Sequence, residues 1–217
     1  WLGSITPRPA VISVWHKSPA KNLAEAKKTQ IIMGSTGLGS ETYLAPTLLN
    51  HIAGTKFKIV KGYKGGAKIN KAMEGGEVHG RMNYWSGWTA GKPAWVSGNK
   101  LRHLASYGGE IPALPNVPKM GDIAKTADQK AMVKFLEVAP RIGMGFWVHP
   151  EVPKDRLAAL RKAFMAMLND PAFRADAKKR KAPVNPVPGA ALDKIVAEAY
   201  ATNPATIAKM KKVLGFK

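Results

Sequence analysis

The segment of residues 30–40, QIIMGSTGLGS, constrains the fold more than any other part of the chain. Ile31, Ile32 and Met33 form an uninterrupted apolar run, which is typical of a strand covered on both faces. The glycines that follow permit a sharp turn, and residues 41–53 then predict a helix. In this order the free N–H groups and the positive dipole end of the helix face the turn, so an anion can bind there. The same pattern is also compatible with a turn that holds no ligand, and the sequence signature of a P-loop is absent.

The pattern repeats further along the chain. Residues 57–61 alternate apolar and polar side chains, as a strand does, and lead into a second glycine-rich turn at residues 62–66. Residues 67–74 then predict a second helix. Two consecutive units of strand, glycine turn and helix predict a parallel α/β layer, in which ligands lie outside the carboxyl ends of the strands. We therefore expect both turns at one edge of a sheet.

Composition and charge bound the possible partners. The chain has 217 residues, of which 45% are hydrophobic, so it can bury a core as one or two domains. Lys and Arg total 34 against 14 for Asp and Glu, and the net charge of +20 suits nucleic acid, an acidic membrane surface or a small anionic ligand. The basic residues are dispersed and match no nucleic-acid motif. Cysteine is absent, which excludes disulfides and thiol chemistry, and no apolar run approaches the roughly 20 residues of a membrane span.

Reactive constellations are missing from the sequence. The five histidines are scattered and form none of the spacings typical of metal ligands. There is no GxSxG elbow, and no base lies near Ser35 or Ser40 in sequence. The predicted site therefore offers hydrogen-bond donors without reactive groups. We interpret it as a binding site, and we expect no metal, no cofactor and no enzymatic activity.

The remaining elements follow from apolar spacing, turn residues and caps. A tryptophan cluster, Trp85, Trp88 and Trp95, is interpreted as core packing rather than as a stacking platform. Three further strands are predicted at residues 11–15, 77–85 and 101–107, and a fourth at 142–148. Further helices are predicted at residues 22–28, 128–138, 153–169, 171–181, 190–201 and 204–213.

Taken in order, these motifs resemble the extracytoplasmic solute receptors of the tripartite tricarboxylate transporter family. The resemblance covers almost the whole chain and rests on an ordered series rather than on one motif. The series is GSTGLGS, KIVKGYKGGAKINKAMEGGEVHGR, LRHLASYG with LPNVPKMGDIA, and VHPEVPKDRLAALRKAFMAMLNDPAFRADAKK.

The resemblance implies a periplasmic binding protein of the type II topology, with two lobes of parallel or mixed sheets flanked by helices. Such a receptor closes over a small carboxylate and delivers it to membrane transporter subunits, without catalysis. Turn and helix N-terminal donors from each lobe hold the carboxylates. Carried onto this sequence, the implied ligand-binding residues are Ser35, Thr36, Gly37, Ser40, Tyr63, Lys64, Gly65, Gly66 and His79.

The chain departs from the family in two ways. It starts at Trp1, about where the first lobe crosses into the second, so we expect an incomplete first lobe and a surface exposed by truncation that favours self-association. Residues 1–138 are predicted to form the crossing strand and second lobe, and residues 139–217 the return to the first lobe. The second departure is His79, where the family usually has aspartate. Two alternatives stay open: a basic nucleic-acid-binding module and a small α/β enzyme acting on anions.

Overall fold

The structure is a computed structural model that describes residues 1–180 and 182–216. It is a mixed α/β fold in which helices flank two sheets. The strands are β1 (Gly3–Ser4), β2 (Ala10–Trp15), β3 (Ile31–Gly34), β4 (Phe57–Val60), β5 (Gly80–Tyr84), β6 (Leu101–Tyr107), β7 (Gly145–Phe146) and β8 (Val187–Pro188).

Eight of the described helices were predicted from the sequence to within a few residues, and the four helices of only four or five residues were not predicted. They are α1 (Leu23–Lys28), α2 (Glu41–Ala53), α3 (Gly66–Glu74), α4 (Trp85–Thr89), α5 (Pro93–Ser97), α6 (Met120–Ile123), α7 (Ala127–Leu136), α8 (Val138–Ile142), α9 (Lys154–Asn169), α10 (Pro171–Lys179), α11 (Gly189–Tyr200) and α12 (Pro204–Leu214). The end predicted for α10, Lys181, lies outside the described residues.

The five-stranded sheet has the order β4-β3-β5-β2-β6. β3 is parallel to β4 and β5, whereas β2 is antiparallel to β5 and β6. Four strands therefore end at one edge of the sheet, and β2 begins there. Because Met33 pairs with Gly80, β5 continues past the end of β3 and carries its last residues beyond that edge. The predicted α/β layer is confirmed, with one strand reversed.

Apolar side chains alternate between the two faces of this sheet, as the pleat of a strand requires. On one face, Ile12 and Met33 belong to a core that α2 covers with Leu48 and Leu49. On the other face, a second core is formed by Val11, Ile69, Met73, Trp88 and Trp95. Trp88 and Trp95 are buried, which confirms their role in core packing, whereas Trp85 is half-buried and packs against the edge of this core.

The three-stranded sheet has the order β7-β1-β8, with both pairs antiparallel. The strand predicted over residues 142–148 is wrong in extent, because the observed strand β7 contains only Gly145 and Phe146. Ile142 is the last residue of α8, and Gly143 then turns the chain with a φ of 61°. Met144, Phe146 and Trp147 are exposed, and Trp147 is 71% accessible. Self-association through such a surface stays a prediction.

The predicted division at residues 138 and 139 also stays a prediction, and several interactions cross it, among them the pairing of β1 with β7 and β8. Met210 and Leu214 of α12 join the same core as α2 and α7. The C-terminal helix therefore stabilises the large sheet. None of the described helices is both long enough and apolar enough to cross a membrane.

Candidate functional site

The first predicted turn, residues 35–40, is held in shape by a cluster of hydroxyl groups. Thr42 lies at its centre: its Oγ1 accepts the N–H of Thr36 at 3.1 Å and lies 3.1 Å from the Oγ of Ser35. Ser35 is fully buried, and its Oγ also accepts the N–H of Gly37 at 3.2 Å. The Oγ of Ser40 contacts Thr42 and donates to the carbonyl of Gly37 at 3.0 Å. These hydroxyls therefore fix the backbone of the turn.

The amides at the tip of this turn remain available to a ligand. Ser40 is the N-cap of α2, but its side chain makes no capping hydrogen bond. Within the described residues, no acceptor binds the N–H groups of Leu38, Gly39, Glu41 and Thr42. Leu38 and Gly39 are exposed. Unpaired amides at the positive end of a helix dipole are the donors that a carboxylate or phosphate needs.

The second predicted turn, residues 62–66, repeats this arrangement. Gly62 and Gly65 have φ values of 103° and 94°, which only glycine adopts without strain. The N–H groups of Gly66 and Ala67, in the first turn of α3, have no acceptor within the described part of the chain. α3 also lacks an acidic residue in its first turn, so its dipole is not neutralised locally.

Backbone hydrogen bonds join the two turns. Ser35 donates its N–H to the carbonyl of Val60 at 2.8 Å and accepts the N–H of Tyr63 at 3.2 Å. The hydroxyl of Tyr63 donates to Glu77 at 2.5 Å, and burial with that hydrogen bond raises the pKa of Tyr63 to about 12. Lys64 and Gly65 are exposed beside these bonds. The structure thus brings both predicted turns to one edge.

Arg81 lies behind the second turn and was not predicted. Its guanidinium donates to the carbonyl of Gly66 at 2.8 Å and to Asn70 at 3.1 Å. It forms no ion pair with a described carboxylate, and burial lowers its pKa to about 10, so it stays charged at neutral pH. A buried, unneutralised positive charge next to the start of α3 favours an anion at that turn.

A second missed cluster borders the first turn. The carboxylate of Glu41 accepts the hydroxyls of Tyr84 at 2.6 Å and Tyr107 at 2.9 Å. Burial is the main cause that raises the pKa of both tyrosines, so they stay protonated donors. The guanidinium of Arg8 stacks over the Tyr84 ring, 4.0 Å from its centroid. Glu41 thus offsets part of the α2 dipole, which leaves the second turn the more positive of the two.

His79 lies away from the tips of the turns. It precedes β5, and its Nδ1 accepts the N–H of Ile32 at 3.0 Å, within β3. Burial lowers the pKa of His79, as expected for a ring that must stay neutral to accept this bond. The imidazole therefore holds the start of β5 against β3. Its predicted part in ligand binding stays a prediction.

Residues from distant parts of the sequence meet only because of the strand order. Thr42, Arg81, Tyr84 and Arg8 were missed because nothing in their local sequence marks them. The one available signal was the alternation along β5, which places Arg81 and Asn83 on one face and Tyr84 on the other. No group of three or more His, Asp or Glu side chains that could hold a metal ion occurs within residues 1–180 and 182–216.

Known proteins were compared with this chain in sequence and in structure. No protein-family model matches the chain, and no curated protein matches it in sequence. Solved structures do match. A TctC solute-binding protein from Polaromonas aligns with 96% of this chain and 68% of its own, with a TM-score of 0.67 and 20% identity.

Two further structures were solved with acids. An R. palustris protein with adipate aligns with 99% of this chain and 68% of its own, with a TM-score of 0.61 and 19% identity. MatC from Rhodopseudomonas palustris with bound malate aligns with 98% and 68%, with a TM-score of 0.55 and 18% identity. The chain thus spans about two-thirds of the length of each of these proteins. From these likenesses, we conclude that the chain has the fold of the periplasmic solute-binding proteins of the TctC type.

Proposed function

We propose that this protein is an extracytoplasmic solute receptor that binds a small organic acid anion. One observation carries the proposal: two consecutive turn and helix units present unpaired amides at the same sheet edge, joined through Ser35. The buried, charged side chain of Arg81 contacts the carbonyl of Gly66 at the second turn. Backbone amides and helix dipoles bind carboxylates without any reactive side chain.

The chemistry of the turns favours binding over catalysis. The hydroxyl of Ser35 is buried and hydrogen-bonded within the turn to Gly37 and Thr42. The imidazole of His79 accepts the amide of Ile32. Neither group is free to act as a nucleophile or a base toward a bound acid. The proposed role therefore needs no cofactor.

The identity of the acid and of the partner belongs to the proposal as well. Two matched structures were solved with adipate and malate, so acids with two carboxylates are the first to test. We propose that the solute is bound in the periplasm and handed to a membrane transporter of the tripartite tricarboxylate type. Hinge closure over the solute is the proposed signal to that transporter.

Isothermal titration calorimetry with adipate and malate tests the proposal. We expect saturable binding that the double variant Ser35→Ala, Thr36→Ala abolishes, because the turn loses hydroxyls that fix its amides. Ser97→Ala, an exposed hydroxyl on α5, is the matched control and should bind as the wild type does. Circular dichroism should show that each variant is folded. Equal affinity of the double variant and the wild type would contradict the assignment of the site.

A further inference from the structure

A cavity of about 730 Å³ lies along the same sheet edge as the two turns. Three segments at that edge line it: residues 6–9 before β2, residues 85–86 after β5, and residues 109–112 after β6. Lys178, Ala182, Pro183 and Asn185 line its remaining side. The volume falls within the range of about 300–1,000 Å³ typical of small-molecule sites. None of the predicted ligand-binding residues lines this cavity.

The wall of the cavity is mostly apolar. Pro7, Pro9, Ile111 and Pro112 contribute rigid or branched apolar surface, and Trp85 adds an aromatic ring. The Trp85 ring is held by an edge contact with His103, with ring centroids 5.6 Å apart. A fixed aromatic ring among prolines favours a flat apolar partner, because aromatic pairs gain from offset or edge contacts beyond the area that they bury.

Arg8 supplies a charge at the border of this apolar wall. Its guanidinium is half-buried and stacked on Tyr84, whose hydroxyl is bound to Glu41. Among the described residues, the Arg8 side chain has no hydrogen-bond acceptor and no carboxylate in ion-pair contact, so its donors are unused. Guanidinium donors form a fixed fork that matches a carboxylate. The one acid that lines the cavity, Glu110, is paired with Lys119.

We propose that this cavity holds the apolar body of the solute and that Arg8 binds a carboxylate on it, so that the solute is an aromatic carboxylic acid. The inference rests on the proposed receptor function and specifies its ligand. It extends the binding site from the two turns to the ends of β5 and β6. Residues 109–112 and Trp85 then determine specificity, while the turns provide further donors for anionic groups.

Benzoate and hexanoate form a matched pair of probes, because each carries one carboxylate and they differ in having a ring or a flexible chain. We expect calorimetry at fixed salt to give benzoate at least about tenfold tighter binding than hexanoate, since a rigid ring loses less conformational entropy and contacts Trp85. Quenching of tryptophan fluorescence by benzoate gives an independent readout. Equal affinity of the two acids would overturn the inference.

Two variants test the assigned residues. Arg8→Gln should weaken benzoate binding by about 10- to 100-fold, the loss expected for a charge-assisted hydrogen bond. Arg102→Gln removes the same charge at the opposite end of β6 and should leave the affinity unchanged. Trp85→Leu should reduce the preference for benzoate over hexanoate, and Trp85→Phe should restore most of it. Unchanged benzoate affinity in Arg8→Gln would contradict the role given to Arg8.

Failure of this inference can be separated from failure of the proposed function. If adipate binds through the turns but benzoate does not bind, the cavity inference is wrong and the receptor function stands. If benzoate binds and Arg8→Gln weakens it, but the Ser35→Ala, Thr36→Ala variant retains full affinity for adipate, the cavity inference stands and the turn assignment is wrong. If no acid binds the wild type, both proposals fail.

Discussion

Protonation of His103 should destabilise the fold at mildly acidic pH. The imidazole lies between β2 and β6, with its Nδ1 2.9 Å from the Oγ of Ser13 and its ring against the edge of Trp85. Burial, assisted by the charge of Arg102, lowers the pKa of His103 from 6.5 to about 4. The folded state therefore favours the neutral ring, whereas the unfolded chain protonates the ring near pH 6.5.

The sign and the size of the effect follow from linkage. Above pH 6.5 the ring is neutral in both the folded and the unfolded protein, and its contribution to the free energy of unfolding is complete. This contribution falls as the pH drops from 6.5 to about 4, because the unfolded chain then binds more protons than the folded one. Since one pKa unit is worth about 1.4 kcal/mol, the free energy of unfolding should fall by about 3 kcal/mol across this range. Trp85 adjoins the ring, so its fluorescence should report the change.

Urea denaturation at pH 7.5 and pH 4.0 measures this contribution in the wild type and in His103→Gln. The wild type should lose about 3 kcal/mol more than the variant, in which no group titrates at this position. Comparing the wild type with His103→Gln at each pH cancels the effect of the carboxylates, which titrate in both proteins. His51→Gln, an exposed histidine on α2, is the control and should follow the wild type. An equal loss of unfolding free energy in the wild type and in His103→Gln would show that His103 does not contribute to this pH dependence.

Three further predictions concern the turns. Thr42→Val should lower the free energy of unfolding by about 1–3 kcal/mol in urea denaturation, because the amide of Thr36 loses its acceptor; an unchanged value would exclude this role. Gly66→Ala should cost about 1–3 kcal/mol and weaken adipate binding in calorimetry, because its Cβ would lie 2.3 Å from the Nη1 of Arg81. Gly121→Ala, whose Cβ meets nothing within 4 Å, is the control and should retain both stability and affinity. Acid binding should weaken only modestly between about 50 and 200 mM salt, whereas a loss of about 10³-fold or more would indicate the polyphosphate binding of a nucleic-acid module.

Local sequence signals predicted the elements that carry their own start and stop residues. α2 has its predicted bounds because Ser40 precedes it in an extended conformation and Gly54 ends it with a φ of 70°. β6 was predicted over the same seven residues. The strand predicted at residues 142–148 was too long because Ile142 still belongs to α8, Gly143 then turns the chain with a positive φ, and only Gly145 and Phe146 form a strand.

The candidate site was predicted only in part, because its geometry depends on the strand order. The two glycine turns could be read locally, and their meeting followed from the expected parallel pairing of β3 and β4. Tyr84 reaches Glu41 because β5 runs past the end of β3, and Arg81 reaches Gly66 because it lies level with Gly34, the last residue of β3. Arg8 adjoins Tyr84 because β2 starts at the same edge. Contacts of this kind depend on register, which the sequence pattern alone does not fix.

A two-dimensional ¹⁵N–¹H titration of the uniformly labelled chain with adipate shows whether the two turns bind a carboxylate. Glycine amides report both turns, and we expect saturable shifts at Gly39 and Gly66, whose N–H groups have no acceptor within the described residues. The amides of Gly54 and Gly98, which bind helix carbonyls at the ends of α2 and α5, should stay in place. Saturable shifts confined to other residues, or no shift at Gly39 and Gly66 at millimolar adipate, would contradict carboxylate binding at the two turns.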